Sequence, residues 1–181
     1  MNLWVRLLGL MLFRDRRRVS LLDTTRVRLR AWPNDLDLNN HVNNGRYLSL
    51  ADLGRIDWFL RTGLLQLAMR HRALPVVGDV IAKFRRELRA FQAFEIHSRL
   101  LGWDERWGFL EHRFVREGRV FGVVAVRGMF RGPSGPVRPS ELLAAVDAPA
   151  TSPALPEWLL AWHRGSDELS AVLRTEEAGS A

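Results

Sequence analysis

The sequence predicts an α+β domain in which an antiparallel sheet covers one long helix. Three observations carry that expectation: a strand-like stretch from Leu22 to Trp32, an apolar face at helical spacing from Tyr47 to Phe59, and four β-like runs in succession between 76 and 131.

The elements follow in order. Leu3 to Phe13 is apolar apart from Arg6, and Trp4, Leu7, Leu8, Met11 and Leu12 recur at helical spacing. Eleven residues are too few to cross a hydrocarbon core, which needs about 20. With Arg14, Arg16, Arg17 and Arg18 behind it, the helix fits peripheral contact of residues 1–18 with an anionic membrane interface, and equally packing on its own domain or on a dimer mate. In the 22–32 strand Thr25, Val27 and Leu29 alternate with Arg26, Arg28 and Arg30, and Pro33 ends it. A polar segment, 34–44, leads into the helix. Its start is expected to be capped by Asn43 or Asn44 and its end set by Gly63, with a short second helix over 64–72.

The β-like runs cover about 76–90, 93–104, 107–117 and 119–131, with breaks at Phe91-Gln92, Asp104 to Arg106 and Glu117-Gly118, and are expected to form a meander. The last is apolar at both parities, which suggests burial on both faces. A turn-rich loop (132–139), a short helix (141–146), a Pro/Ala linker (147–156) and an amphipathic helix bearing Trp158, Leu159, Trp162, Leu169 and Leu173 close the chain, before a frayed tail. The expected division is an N-terminal apolar and Arg-rich helix over 1–19, the α+β domain over 20–132 and a C-terminal loop and helix over 133–181. One helix cannot cover five strands on both faces, so the exposed sheet predicts a second copy of the chain, as homodimer or tetramer.

Composition excludes several kinds of chemistry. Of 181 residues 47% are hydrophobic and 26% charged, the balance of a globular domain. There is no cysteine, which rules out a thiol nucleophile, a cysteine zinc site and a disulfide scaffold, and fits a reducing, cytoplasmic setting. No histidine has a partner carboxylate at metal-ligand spacing, so no metal is expected. The net charge of +7 comes largely from arginines in the first 18 residues, an end-loaded pattern that argues against nucleic-acid binding.

The segment from Asp35 to Asn43 is the most informative. If extended, it puts Asp35, Asp37, Asn39, His41 and Asn43 on one side, just ahead of a helix N-terminus whose free N–H groups favour negative charge. Such a row serves proton transfer or water activation. It serves equally as a polar turn that caps the helix.

The run Asp37-Leu38-Asn39-Asn40-His41-Val42-Asn43-Asn44, followed by Tyr47, resembles the signature at the start of the central helix in hotdog-fold thioesterases, above all the Asp-x-Asn-x-His-Val-Asn-Asn segment of plant acyl-ACP thioesterases. That resemblance implies catalytic roles for Asp37, Asn39 and His41. Phe84-Arg85-Arg86-Glu87-Leu88 is similar to the Tyr-Arg-Arg-Glu-Cys patch of the same enzymes, which places Glu87 on a proposed catalytic glutamate and Leu88 where they carry cysteine. Most of residues 20–131 also resembles the thioesterase superfamily member six group.

The resemblance implies a single hotdog domain with extra terminal helices that hydrolyses acyl-CoA or acyl-ACP thioesters to a carboxylic acid and a thiol. Asp37 would be the carboxylate, as base for water or as direct nucleophile. His41 would orient it or share its proton, Asn39 would fix the carbonyl or the water, and Asn43, Asn44, Tyr47 and Trp58 would contact substrate. No cofactor is implied, CoA or carrier protein being part of the substrate. Arg85, Arg86, Arg89 and Arg131 are candidates for CoA phosphates, or simply a solvated face. The competing reading is a non-catalytic acyl-binding module attached peripherally to a membrane.

Overall fold

The computed structural model describes residues 3–143, 149 and 151–180. Helix α1 (Leu3–Phe13) is followed by strand β1 (Thr25–Arg30), a 3-10 turn (Pro33–Asp35), the long helix α2 (Asn44–Thr62) and the short α3 (Leu64–Arg70). Strands β2 (Leu74–Phe84), β3 (Ala93–Trp103), β4 (Gly108–Arg116) and β5 (Arg119–Gly132) come next, then β6 (Gly135–Val137), α4 (Pro139–Leu143) and α5 (Glu157–Gly179). Asn43 caps α2 by accepting the Gly45 N–H at 2.8 Å, and Gly63 ends the helix in the left-handed region at φ 80°. The sheet and its α2 filling are as the sequence predicts. Of the short helix expected over 141–146, the described part lies in α4, and the rest falls outside the described residues.

The strand order is β1-β3-β4-β5-β2, so the expected four-strand meander is corrected: only β3, β4 and β5 run as consecutive neighbours. Strand β2 stops at Phe84, not near 90, and pairs with β5 at the far edge. Arg85 and Arg86 both donate backbone N–H to the Phe121 carbonyl, and the chain then turns away to carry Leu88 into the core. The β4–β5 turn falls at Glu117 and Gly118, both at positive φ, which fits the twist of two antiparallel strands.

Tyr47, Leu50, Leu53 and Trp58 of α2 pack against Val27, Ile96, Phe114 and Val124 of the sheet. The helix comes unusually close at Gly54, where an added Cβ would lie 2.4 Å from Ser98 Oγ. Beneath it Thr25, Ser98 and His112 form a buried polar row at matched positions of β1, β3 and β4. Ser98 Oγ meets His112 Nδ1 at 2.8 Å. On the opposite face Leu101, Trp107 and Phe109 are covered by Leu159 of α5, with Trp162 beside them. Strand β5 is enclosed on both faces, as its two apolar parities suggest.

Both terminal helices depart from the simple stripe. In α5, Leu159 is buried, whereas Trp158, Leu169 and Leu173 are exposed, and the helix runs to Gly179 in place of a frayed tail. In α1 the expected stripe divides. Leu7 packs on the core together with Leu3 and Leu10, while Trp4, Leu8, Met11 and Leu12 face outward, and Arg6, the one charge in the helix, points in. Among the described residues no helix is long and apolar enough to cross a membrane.

Candidate active site

The segment ahead of α2 is not extended. Leu36 and Val42 form an isolated antiparallel bridge, and residues 37–41 make a tight turn, with the Asp37 N–H donating to the His41 carbonyl at 2.9 Å and the Asn40 N–H to the Asp37 carbonyl at 3.1 Å. Asn40 sits at φ 59°, a left-handed conformation that asparagine tolerates better than most residues. Asp37 Oδ1 accepts the Asn39 N–H at 2.9 Å, so the carboxylate shapes its own turn. The expected single polar row is therefore corrected. An i, i+2 alternation requires an extended backbone, and the Asp/Asn content of this stretch folds it into a turn instead.

The turn sorts the five polar side chains into different places. Asp37 and His41 line a cleft of about 230 Å³ together with Asn44, Tyr47, Phe84, Arg85, Arg86 and Glu87. His41 Nε2 lies 3.3 Å from Glu87 Oε2, and Arg89 bonds the same oxygen at 3.1 Å. The two loops are held together because the Val42 N–H donates to the Leu88 carbonyl at 2.8 Å. The two motifs singled out in the sequence thus share one cleft although 46 residues separate His41 from Glu87. Asn39 is exposed outside the cleft, and Asn43 is occupied as the helix cap.

Tyr47 forms the apolar wall, edge-on to Phe84 and Phe114 at centroid distances of 5.1 and 4.7 Å. Burial pushes its phenol up to about 12, so it is a neutral hydroxyl at any working pH. Trp58 is fully buried and lies elsewhere, in the wall of a second cavity of about 260 Å³ bounded by Phe59, Val76, Leu110, Met129 and Leu142. That cavity is almost wholly apolar and large enough for an acyl chain. Apart from Trp58 its lining was not visible in the sequence, because it comes from seven separate elements, and Leu142 carries no sign of its role.

Asp35, expected beside Asp37, is instead completely buried behind the turn. Its carboxylate meets Arg6, the Trp32 N–H at 2.8 Å, and Arg46 Nη2 and Nε at 2.7 and 3.1 Å. Burial alone would raise its pKa; the Trp32 amide and the two guanidinium groups outweigh that and hold it below the usual carboxylate range. The other histidines lie away from the cleft. His112 is sealed beneath α2, His97 bonds Glu95 at 2.8 Å, and His163 is largely covered and accepts from Arg127 at 2.9 Å.

Comparison with known proteins agrees with this architecture. The model of the thioesterase-like superfamily matches residues 31–163. Protein THEM6 of Xenopus laevis is 34% identical over 151 residues, which is 82% of this chain and 71% of that protein. Thioesterase poxG of Penicillium oxalicum is 32% identical over 98 residues, 46% of this chain and 32% of that protein. Among solved structures, the probable thioesterase YbaW of Escherichia coli superposes with a TM-score of 0.57 at 23% identity, covering 60% of this chain and 83% of that one. The family match over residues 31–163 and the likeness to THEM6, on a fold of one buried helix wrapped by an antiparallel sheet, place this chain in the thioesterase-like hotdog superfamily.

Proposed function

We propose that the protein is an acyl thioesterase that hydrolyses an acyl-CoA or acyl-carrier thioester to a carboxylic acid and a thiol. The observation that carries this reading is the convergence of Asp37, His41 and Glu87 on one cleft at the N-terminus of α2, within a family defined by that activity. Asp37 supplies the carboxylate, as general base for water or as nucleophile, and the His41–Glu87 pair moves or holds the proton. The positive end of the α2 dipole at Asn44 would stabilise the oxyanion, the Gly45 and Arg46 amides being taken by Asn43. Arg85 and Arg86 on the cleft wall suit CoA phosphates or an acidic carrier. The non-catalytic module draws no support from the family.

Within one chain the cleft and the apolar cavity do not meet. From Tyr47 in one to Phe59 in the other is roughly 18 Å along α2. Strand β2 offers the way to join them. It is a free sheet edge of 11 residues with Val76, Val80, Ile81 and Phe84 exposed, a long apolar edge of the kind that seeks a partner. A second copy pairing antiparallel along β2 would bring its own cavity beside Asp37 and His41. We propose such a homodimer. At about 30 Å³ per non-hydrogen atom the cavity takes roughly nine, a medium acyl chain or a compact aryl group.

Thiol release from a panel of acyl-CoA and acyl-carrier thioesters tests both proposals, with Val80→Lys as the comparison. Wild type is expected to sediment as a dimer and to release thiol, and the variant to lose both properties. A fully active monomer would end the shared-site reading, and silence of wild type on the whole panel would end the thioesterase reading. We also propose that the outward stripe of α1, Trp4, Leu8 and Leu12, followed by exposed Arg16, Arg17 and Arg18, rests on anionic lipid. Co-sedimentation with phosphatidylserine vesicles but not with phosphatidylcholine vesicles is the expected result, and equal recovery in the two pellets would rule it out.

A further inference from the structure

Arg6 is the one charged residue of an otherwise apolar helix, and it is 4% exposed. A buried guanidinium on α1 is costly unless it is paired, and its partner is the buried Asp35, which also receives Arg46 of α2. Arg6 Nη2 donates to the Arg30 carbonyl at 3.2 Å as well, at the end of β1. One carboxylate therefore ties together three elements: α1, the loop after β1, and the first turn of α2.

The position of Asp35 gives the tie its consequence. The Asn43 N–H donates to the Asp35 carbonyl at 2.8 Å, and the Leu36–Val42 bridge follows directly. Asp35 and Asn43 are thus the two feet of the turn that presents Asp37 and His41. Asp37 is only two positions on from Asp35, at most about 7 Å of chain. Arg46 reaches the same carboxylate from the helix whose N-terminus faces the cleft, so turn and helix are fixed relative to one another by the group that Arg6 completes. No contact between α1 and the cleft itself is needed for this control.

We infer that Arg6 is a positioning residue: through its ion pair with Asp35 it sets the placement of the Asp37–His41 turn, and thereby turnover. The inference rests on the thioesterase reading for its kinetic consequence but not for its structural one. Displacing a reacting group by about 1 Å can cost 10²-fold in rate.

The test compares Arg6→Met, which keeps the aliphatic stem but removes the charge, with Arg6→Lys and with Leu10→Ala. Leu10 packs α1 on the core one turn from Arg6 and has no polar group in the ion pair, so its truncation loosens the helix and leaves the charges in place. Arg6→Met is expected to lower kcat 10- to 100-fold with KM within about threefold, Arg6→Lys to recover most of the rate, and Leu10→Ala to lower Tm while leaving kcat near wild type. Amide hydrogen exchange over residues 36–43 reads the turn with no reaction involved, and is expected to speed up at least tenfold in Arg6→Met alone. Unchanged exchange and kcat in Arg6→Met overturn the inference, as does an equal loss of kcat in Leu10→Ala. Should Arg6→Met fail to fold, Arg6→Gln, which removes the charge but keeps a polar head, decides by the same two readouts: faster exchange with reduced kcat supports the inference and wild-type values overturn it. If wild type turns over no thioester yet exchange rises in the variant, the positioning role stands and the thioesterase reading falls.

Discussion

Asp37→Asn is expected to lower thiol release about 10²- to 10⁴-fold and to leave the fold intact. The rate falls because an amide neither accepts the proton of water nor attacks a carbonyl. The fold survives because the turn asks of Asp37 only an acceptor for the Asn39 N–H, and the amide oxygen of asparagine supplies one. Steady-state assays with a thiol reagent suit this protein, since a chain without cysteine adds no signal of its own. Circular dichroism and Tm provide the control. A variant with wild-type rate would remove Asp37 from the mechanism and move attention to His41 and Glu87.

The second large effect concerns stability against pH and comes from one buried group on α2 and one beneath it. Asp57 is 2% exposed, and burial pushes its carboxyl from 3.8 up to about 6 despite Arg61 nearby. The stability it contributes is full below pH 3.8 and is lost as pH rises through 6, because folding then has to bury the ion. His112 is fully buried, and its imidazole is pulled from 6.5 down to about 3, by burial first and by Arg55 second. Its contribution is full above pH 6.5 and is lost as pH falls toward 3.

Between pH 4 and pH 6 the two slopes oppose each other, each about 1.4 kcal/mol per pH unit, and the pair leaves stability nearly level. Asp57→Asn removes one of them. The variant is expected to gain stability with rising pH across that window and to exceed wild type at pH 7 by up to about 3 kcal/mol. Denaturant titrations at pH 4, 5, 6 and 7 measure this directly. Parallel profiles for the two proteins would show that Asp57 is not the group responsible.

Much of the fold was legible because it depends on local pattern. The α2 boundaries followed from Asn43 and Gly63, the β4–β5 turn from Glu117-Gly118, and the two-sided burial of β5 from its parities. Strand partnership was not legible. β2 and β3 look alike as strings, and only the core decides that Leu88 turns inward and sends the chain to the other side of the sheet. At the site, Asp37, His41 and Glu87 line one cleft although Glu87 stands far from the other two in the chain. Asn39, Asn43 and Trp58 stood outside the cleft because alternation was a poor guide to a turn, and helical spacing does not tell which end of a cavity a tryptophan reaches. Arg6 read as a blemish in an apolar run, whereas it is the residue that ties the helix to the site loop.

The pairing of β2 with β5 also bears on how the molecule assembles in time. The β3, β4 and β5 hairpins close over short loops, but β2 waits for β5, since Phe84 pairs with Gly122 and Leu74 with Arg131. Strand β1 closes a longer loop still, Thr25 pairing with Ser98, but β2 is the late strand that offers an open apolar edge. Folding and association are therefore in kinetic competition with aggregation at a single strand, and dilute, cool refolding that lets β2 close on β5 before chains meet is the condition under which this protein is recovered whole.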